Sequence, residues 1–298
     1  MLVTGGTGFI GSNLSLTLEK LGHHVLAADL NVTGQAPNLK GFQGEVLAFD
    51  TAKPWQVEGP IDAVFHQAAL TDPRYHDDQE IFQKNVTGFQ HAIRFALAKK
   101  ARLIYASTAG LYGNGPVPMQ EDQKKVCLTA YGRSKWEMDQ IAEPLFSQLP
   151  IVGLRYFNVF GPRETGKGRP ASMIYHLGKQ IRETGRARIF EFGLQVRDHI
   201  YVKDVVTVNL SALQSSKSGV FNVGTGIGTS FNALVATLNE VLGTDAPIEF
   251  FKMPYAPETY QVNTVADTTR AKTEFNFSAE WDLKEAIRDY FHFLGWLK

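Results

Sequence analysis

A single cysteine, Cys127, stands in the 298 residues of this chain. That excludes an internal disulfide framework and fits a reducing compartment. Cys127 reads as a small apolar filler rather than a nucleophile. No stretch approaches the roughly eighteen apolar residues of a membrane helix. Met1 to Thr4 runs straight into a glycine motif, so no signal peptide is expected. Charge of one sign is missing too: 30 basic residues balance 30 acidic ones, so no face or tail for nucleic acid is advertised. Repeats and low-complexity tracts are absent, and no metal site is expected. A cytoplasmic protein with no membrane or nucleic-acid partner is the expectation. At 44% hydrophobic residues, the chain can fill one large domain or two intertwined lobes.

What is present is a first half that alternates short apolar runs with helical periodicity, the pattern of a parallel sheet covered on both faces. Strands are expected at Leu2–Thr4, His24–Ala28 (ending at Asp29), Glu45–Phe49, Ala63–His66, Arg102–Ala106 and Ile151–Tyr156. Ile10, Leu14, Leu18 and Leu21 recur at spacings of four, four and three, as on a buried helix face. Further helices are expected over Phe82–Lys99, around Tyr131 to Lys135, and from Ala171 to about Glu183. The expected fold is α/β, a doubly wound parallel Rossmann sheet over residues 1–160. A smaller α/β substrate lobe over 161–298 would return some segments to that sheet.

Gly5, Gly8 and Gly11 lie between the first strand and the first helix. There the first glycine permits the turn, the second lets backbone approach a pyrophosphate, and the third packs helix on strand. Phe9 and Ile10 open the helix, whose free N–H groups face the phosphates. Asp29 ends the second strand, placed for an adenosine ribose, and no Lys or Arg follows before Lys40. This favours NAD, with NADP possible. Alternatively, Asp29 merely begins a turn with Asn31.

Tyr131 and Lys135 are four residues apart, one turn on the same helix face. An ammonium so placed favours the phenolate and lowers the tyrosine pKa, suiting Tyr131 to acid/base work on a substrate alcohol. Thr108, at the end of the fifth strand, is placed to hydrogen-bond the reacting hydroxyl. Without the glycine loop, Tyr131 would read as a half-buried aromatic and Lys135 as a solvated charge.

Here the chain resembles the extended short-chain dehydrogenase/reductases that act on nucleotide sugars. The matching stretches are residues 4–11 (TGGTGFIG), 64–69 (VFHQAA), 85–88 (NVTG), 105–108 (YAST), 155–162 (RYFNVFGP), 197–202 (RDHIYV) and 221–226 (FNVGTG). The resemblance implies that Asp50, Gln67, Ala68 and Asn85 also line the cofactor. It places Asn158 and Val159 at a nucleotide-sugar substrate, with Arg197 on its diphosphate. The 4,6-dehydratases of the family carry Asp-Glu after the threonine, whereas this chain has Ala109 and Gly110.

Residues 161–168 (GPRETGKG), with Ala171–Met173, His176 and Tyr260, are similar to the ADP-L-glycero-D-manno-heptose 6-epimerases. By that resemblance Lys167 is a second base, His176 and Tyr260 meet the substrate, and the protein is a homo-oligomer. Spacing alone leaves Lys167 an ordinary loop lysine. The chain departs from the subgroup at Arg169, where a small serine is usual, and after Asp29, where a lysine is missing. The implied function is NAD(P)-dependent epimerisation by oxidation and re-reduction of a carbinol carbon. UDP-hexose or UDP-N-acetylhexosamine 4-epimerisation remains an alternative, as does a dinucleotide-sensing binding protein.

Overall fold

A computed structural model describes residues 1–30, 36–71, 77–254, 256 and 260–297. The first half builds β1 (Leu2–Thr4), α1 (Phe9–Lys20), β2 (Leu26–Asp29), β3 (Glu45–Ala48), β4 (Ala63–His66), α2 (Asp78–Lys99), β5 (Arg102–Thr108), α3 (Ala130–Ala142) and β6 (Ile151–Tyr156). There follow β7 (Asn158–Phe160), α4 (Met173–Thr184), β8 (Ala187–Phe190), β9 (Val196–Tyr201), α5 (Val202–Gln214) and β10 (Gly219–Val223). The chain ends with β11 (Gly228–Ser230), α6 (Phe231–Leu242), β12 (Ile248–Phe251), β13 (Asn263–Thr264), α7 (Thr269–Phe275) and α8 (Leu283–Phe293).

Seven strands form the central sheet in the order β10-β6-β5-β4-β1-β2-β3, every pair parallel. This is the expected doubly wound arrangement. Period-two alternation divides its core. Leu2, Val64, Leu103 and Ile151 face Phe89 of α2 and Met138 of α3. Val3, Phe65, Ile104 and Val152 face Leu14 and Leu18 of α1 and Val205 and Val208 of α5. The return of later chain to the sheet is β10 on β6, with α5 covering the α1 face. A third core joins α4, α6 and α8 around Phe160 and Tyr201.

Local details differ from the sequence reading. Leu21 is 58% exposed, because α1 ends at Lys20 and Leu21 is its cap. Helix α2 starts one turn before Phe82, since the Asp77 carboxylate accepts from the Glu80 N–H. Ser172 does the same for Tyr175 at 3.1 Å, so α4 begins at Met173 rather than Ala171.

Helix α3 is fixed to the sheet by charge as well as by apolar packing. Buried Asp139 accepts from Arg155 Nε of β6 at 2.9 Å, and from Tyr105 and Ser107 of β5 at 2.9 and 3.2 Å. Arg155 Nη1 also donates to Tyr112 and to the Glu121 carbonyl, each at 2.8 Å. Removing one partner of such a pair leaves a buried, uncompensated charge. Arg155→Met is therefore expected to cost about 3–5 kcal/mol, read from urea unfolding. The double variant Arg155→Met/Asp139→Leu should lose less than the two single losses added.

Candidate active site

The carboxyl ends of β1, β2, β4, β5 and β6 open onto a groove of about 530 Å³. Its first wall is the glycine loop. Gly5 adopts φ +66°, and a Cβ there would stand 2.8 Å from the Ala68 nitrogen. A Cβ on Gly11 would run into the Gly5 carbonyl oxygen. Gly8 caps α1 without any side-chain hydrogen bond, so the first N–H groups of the helix stay open to an anion. Only glycine keeps this cradle clear, and it fits a pyrophosphate. Gly5, Gly8, Phe9, Ile10 and Gly11 all line the groove.

Asp29 and Asp50 line the other end. Asp29 accepts from the Thr7 hydroxyl at 2.7 Å and from the Thr7 and Leu30 N–H groups. It thus braces the glycine loop as well as facing the groove; Asn31, its alternative turn partner, lies outside the described residues. Asp50 holds the Ala52 N–H at 3.0 Å. Gln67, Ala68 and Asn85 form the floor. Asn85 clamps both backbone groups of Leu70, at 2.8 and 3.0 Å, and reaches Ser134 of α3 at 3.1 Å.

Tyr131 and Lys135 meet the groove from α3. Their electrostatics depart from the expectation. Burial pushes the Tyr131 phenol up to about 12, with only a hydrogen bond from Thr108 drawing it down. Lys135 is buried, donates to the Ala106 carbonyl at 2.8 Å, and stands 5.7 Å from the Tyr131 ring centre. Its own pKa falls to about 8 through burial, opposed by Asp139. Desolvation outweighs attraction in both groups, and the ammonium is aimed at a carbonyl instead of the phenol.

Lys167 faces the same groove. It belongs to an exposed turn, yet its ammonium turns inward to lie 5.3 Å over the Phe9 ring. Burial lowers its pKa, against the pull of Glu164. Two anchors hold the turn. Arg163, at φ 74°, donates to Asn13 Oδ1 at 2.8 Å and to the Asn38 carbonyl at 3.1 Å. Buried Glu164 accepts from the Gly161 N–H and from the Ser172 N–H and hydroxyl.

The other expected site residues are not among those lining the groove. Thr108 reaches it only through Tyr131. Asn158 donates to Thr264 Oγ1 at 2.8 Å and to the Asp198 carbonyl at 3.1 Å. Val159 is packed between two cores. His176 Nε2 bonds the Arg169 carbonyl at 3.1 Å. Arg197 donates to the carbonyls of Val196, Val262 and Gln261 at 2.9, 2.7 and 2.6 Å. Tyr260 covers that guanidinium at 5.2 Å. The structure brings Arg197 and Tyr260 together, but most of the arginine fork is occupied by backbone. Among the lining residues that the sequence reading missed are His66, Lys84 and Tyr156. Tyr156 had a usable signal, the carboxyl end of a central strand; Lys84 had none, being a helix lysine paired with Glu80 at 2.7 Å.

The lowered Lys135 pKa sets a pH dependence. Between about 8 and its ordinary value near 10.4, the unfolded chain holds a proton at this lysine that the folded chain has lost. Folded stability from this group therefore rises with pH across that window, and is reduced at pH below it. Unfolding midpoints of wild type and Lys135→Met, compared from pH 7 to 10.5, should shift relative to each other in favour of wild type as pH rises. Parallel curves would refute the assignment.

The model of the NAD dependent epimerase/dehydratase family matches residues 1–224. The ADP-L-glycero-D-manno-heptose-6-epimerase of Brachyspira hyodysenteriae is 37% identical over 288 residues, covering 91% of this chain and 90% of that protein. The crystal structure of the Helicobacter pylori enzyme of the same name superposes with a TM-score of 0.90 at 34% identity, over 98% of this chain and 95% of that one. UDP-glucose 4-epimerase of Thermotoga maritima, solved with UDP-glucose, gives 0.87 at 26% identity, over 99% and 98%. The glycine cradle and the Tyr131–Lys135 pair thus sit in a protein that belongs to the NAD dependent epimerase/dehydratase family, with NAD as its cofactor.

Proposed function

We propose that this enzyme inverts a carbinol carbon of a nucleotide-activated sugar, and that the sugar is an ADP-linked glycero-manno-heptose inverted at C6. The observation that carries this reading is Lys167, whose ammonium enters the same groove as Tyr131 and Lys135. Inversion through a carbonyl needs proton exchange at the oxygen with the carbon presented in two orientations, which one fixed tyrosine serves poorly. Two groups with pKa values driven apart divide that work. Lys167, held below the lysine range, is suited to take the hydroxyl proton, and Tyr131, held protonated, to return one. Thr108 steadies the Tyr131 hydroxyl, and Lys135 would offer its charge to the ribose of bound cofactor. Bound NAD supplies the reversible hydride acceptor.

The UDP-hexose 4-epimerase reading rests on the Thermotoga likeness. It leaves Lys167 without a task. A dinucleotide sensor leaves Tyr131 and Lys135 without one. Residues 1–160 are assigned to the dinucleotide and 161–298 to the sugar nucleotide, with Asn158, Val159, His176, Arg197 and Tyr260 on the substrate side. A cytoplasmic homo-oligomer completes the proposal, supported by the lone half-buried cysteine and the heptose-epimerase likeness. Among the described residues no helix is long and apolar enough to cross a membrane.

Tyr131→Phe keeps the ring and removes the proton. NAD binding should persist while turnover falls by about 10²–10⁴, and near-normal turnover would refute the role. Lys167→Met should abolish inversion of ADP-heptose followed by NMR, while a ketone or aldehyde analogue is still reduced toward one epimer. In wild type the inverted carbon should take up no solvent deuterium; uptake there would establish deprotonation chemistry instead. Asp29 repels a 2′-phosphate, so NAD should bind more tightly than NADP, with the gap narrowed in Asp29→Ala. Equal affinities would remove Asp29 as the selector.

A further inference from the structure

Three side chains from distant parts of the chain close a ring of hydrogen bonds under the groove. Gln67 follows β4, Tyr156 ends β6, and Asn209 lies midway along α5. Asn209 Nδ2 donates to the Tyr156 hydroxyl at 2.9 Å. That hydroxyl donates to Gln67 Oε1 at 3.2 Å, and Gln67 Nε2 donates to Asn209 Oδ1 at 3.3 Å. Gln67 and Tyr156 line the groove, whereas Asn209 is wholly buried behind them.

The direction of the ring is dictated by a single backbone group. Asn209 Nδ2 also donates to the Val205 carbonyl at 2.7 Å. A carbonyl accepts only, so the Asn209 atom facing it must be the nitrogen. Its oxygen must then face Gln67, and Gln67 must answer with its own nitrogen. That leaves Gln67 Oε1 toward Tyr156, so the phenol proton points to it. Reversal of any one amide would set two donors or two acceptors against each other. Gln67 keeps one N–H and one lone pair beyond the ring, on the residue that lines the groove.

Tyr156 is also near the acid/base tyrosine: ionising Tyr131 would make ionising Tyr156 harder. Burial raises the Tyr156 phenol and keeps its proton on the ring. The ring is therefore a neutral, directed network beside Tyr131, oriented from a helix that lies beyond residue 160.

We propose that Asn209 is a positioning residue for the NAD site, fixing through Tyr156 and Gln67 which polar atoms the groove floor presents to the dinucleotide. This rests on the reading of the groove as an NAD site and is independent of the sugar. Asn209→Asp replaces the nitrogen that faces Val205 with an acceptor, and Tyr156→Phe opens the ring with little change of shape.

The test is a fluorescence titration with NADH, using wild type, Asn209→Asp, Tyr156→Phe, Gln67→Leu and the pair Asn209→Asp/Gln67→Leu. Both ring variants should bind NADH about three- to tenfold more weakly, the scale of one net hydrogen bond. In the Gln67→Leu background, Asn209→Asp should add no further loss, because its route to the ligand is already cut. A merely structural asparagine would lower affinity or stability equally in both backgrounds. Wild-type affinity in Tyr156→Phe, or an undiminished further loss in the Gln67→Leu background, would overturn the proposal. If Asn209→Asp does not fold, Tyr156→Phe, alone and with Gln67→Leu, decides by the same criterion. Wild type that fails to bind NADH would remove the NAD site itself, and with it this inference.

Discussion

The buried carboxylate of Asp139 is the constraint on which the site depends. Tyr131, Lys135 and Asp139 occupy successive turns of α3, spaced i, i+4, i+8 along one stripe. The last of them is clamped by Tyr105, Ser107 and Arg155, so the stripe can neither rotate nor slide. Apolar packing of Met138 and Ala142 on β5 and β6 would tolerate small shifts of register; three directed hydrogen bonds do not. Asp139 also opposes the loss of the Lys135 proton. One side chain thereby couples the docking of the helix to the charge state of the lysine beside Tyr131.

Burial acts on Tyr131, Lys135 and Lys167 with opposite results for the phenol and the ammonium groups. It raises Tyr131 and lowers Lys135 and Lys167. A phenol and an ammonium start within about half a unit of each other in water; desolvation drives them apart, bringing the lysines toward neutrality while holding the tyrosine protonated. The same physics that makes a buried charge expensive thus supports the proposed division into proton donor and proton acceptor. The turn that carries Lys167 must be held in place for this to matter. Arg163 and Glu164, just before it, tie it to α1 and to the cap of α4.

Much of the frame was legible in the sequence, because its signals are local. The β1–Gly5–α1 turn, the alternating strands and the Tyr131–Lys135 spacing each depend on near neighbours. Leu21 and the starts of α2 and α4 misled by a few residues, since caps such as Asp77 and Ser172 compete with apolar periodicity. Asp139, Asn209 and Glu164 were not legible. Each is a polar residue on a helix or turn whose partners come from other segments, and nothing within a few positions marks it as buried. Arg197 illustrates the converse: a motif identified it, but the motif gives no hint that Val196, Gln261 and Val262 would engage its fork.

These buried polar residues share one arrangement. Asp139 joins α3 to β5 and β6, Glu164 joins the Lys167 turn to α4, and Asn209 joins α5 to the floor of the groove. Asp198 likewise gathers Thr225, Gly226 and Ala266 around β9. Each is buried, and each links segments that apolar contact alone would position less sharply. An unpaired polar group at any of these places would cost about 1–3 kcal/mol, more if charged. Each network therefore favours the one arrangement in which all its members are satisfied. Apolar burial brings the two lobes together, and the directed hydrogen bonds behind the groove determine where its reactive atoms stand.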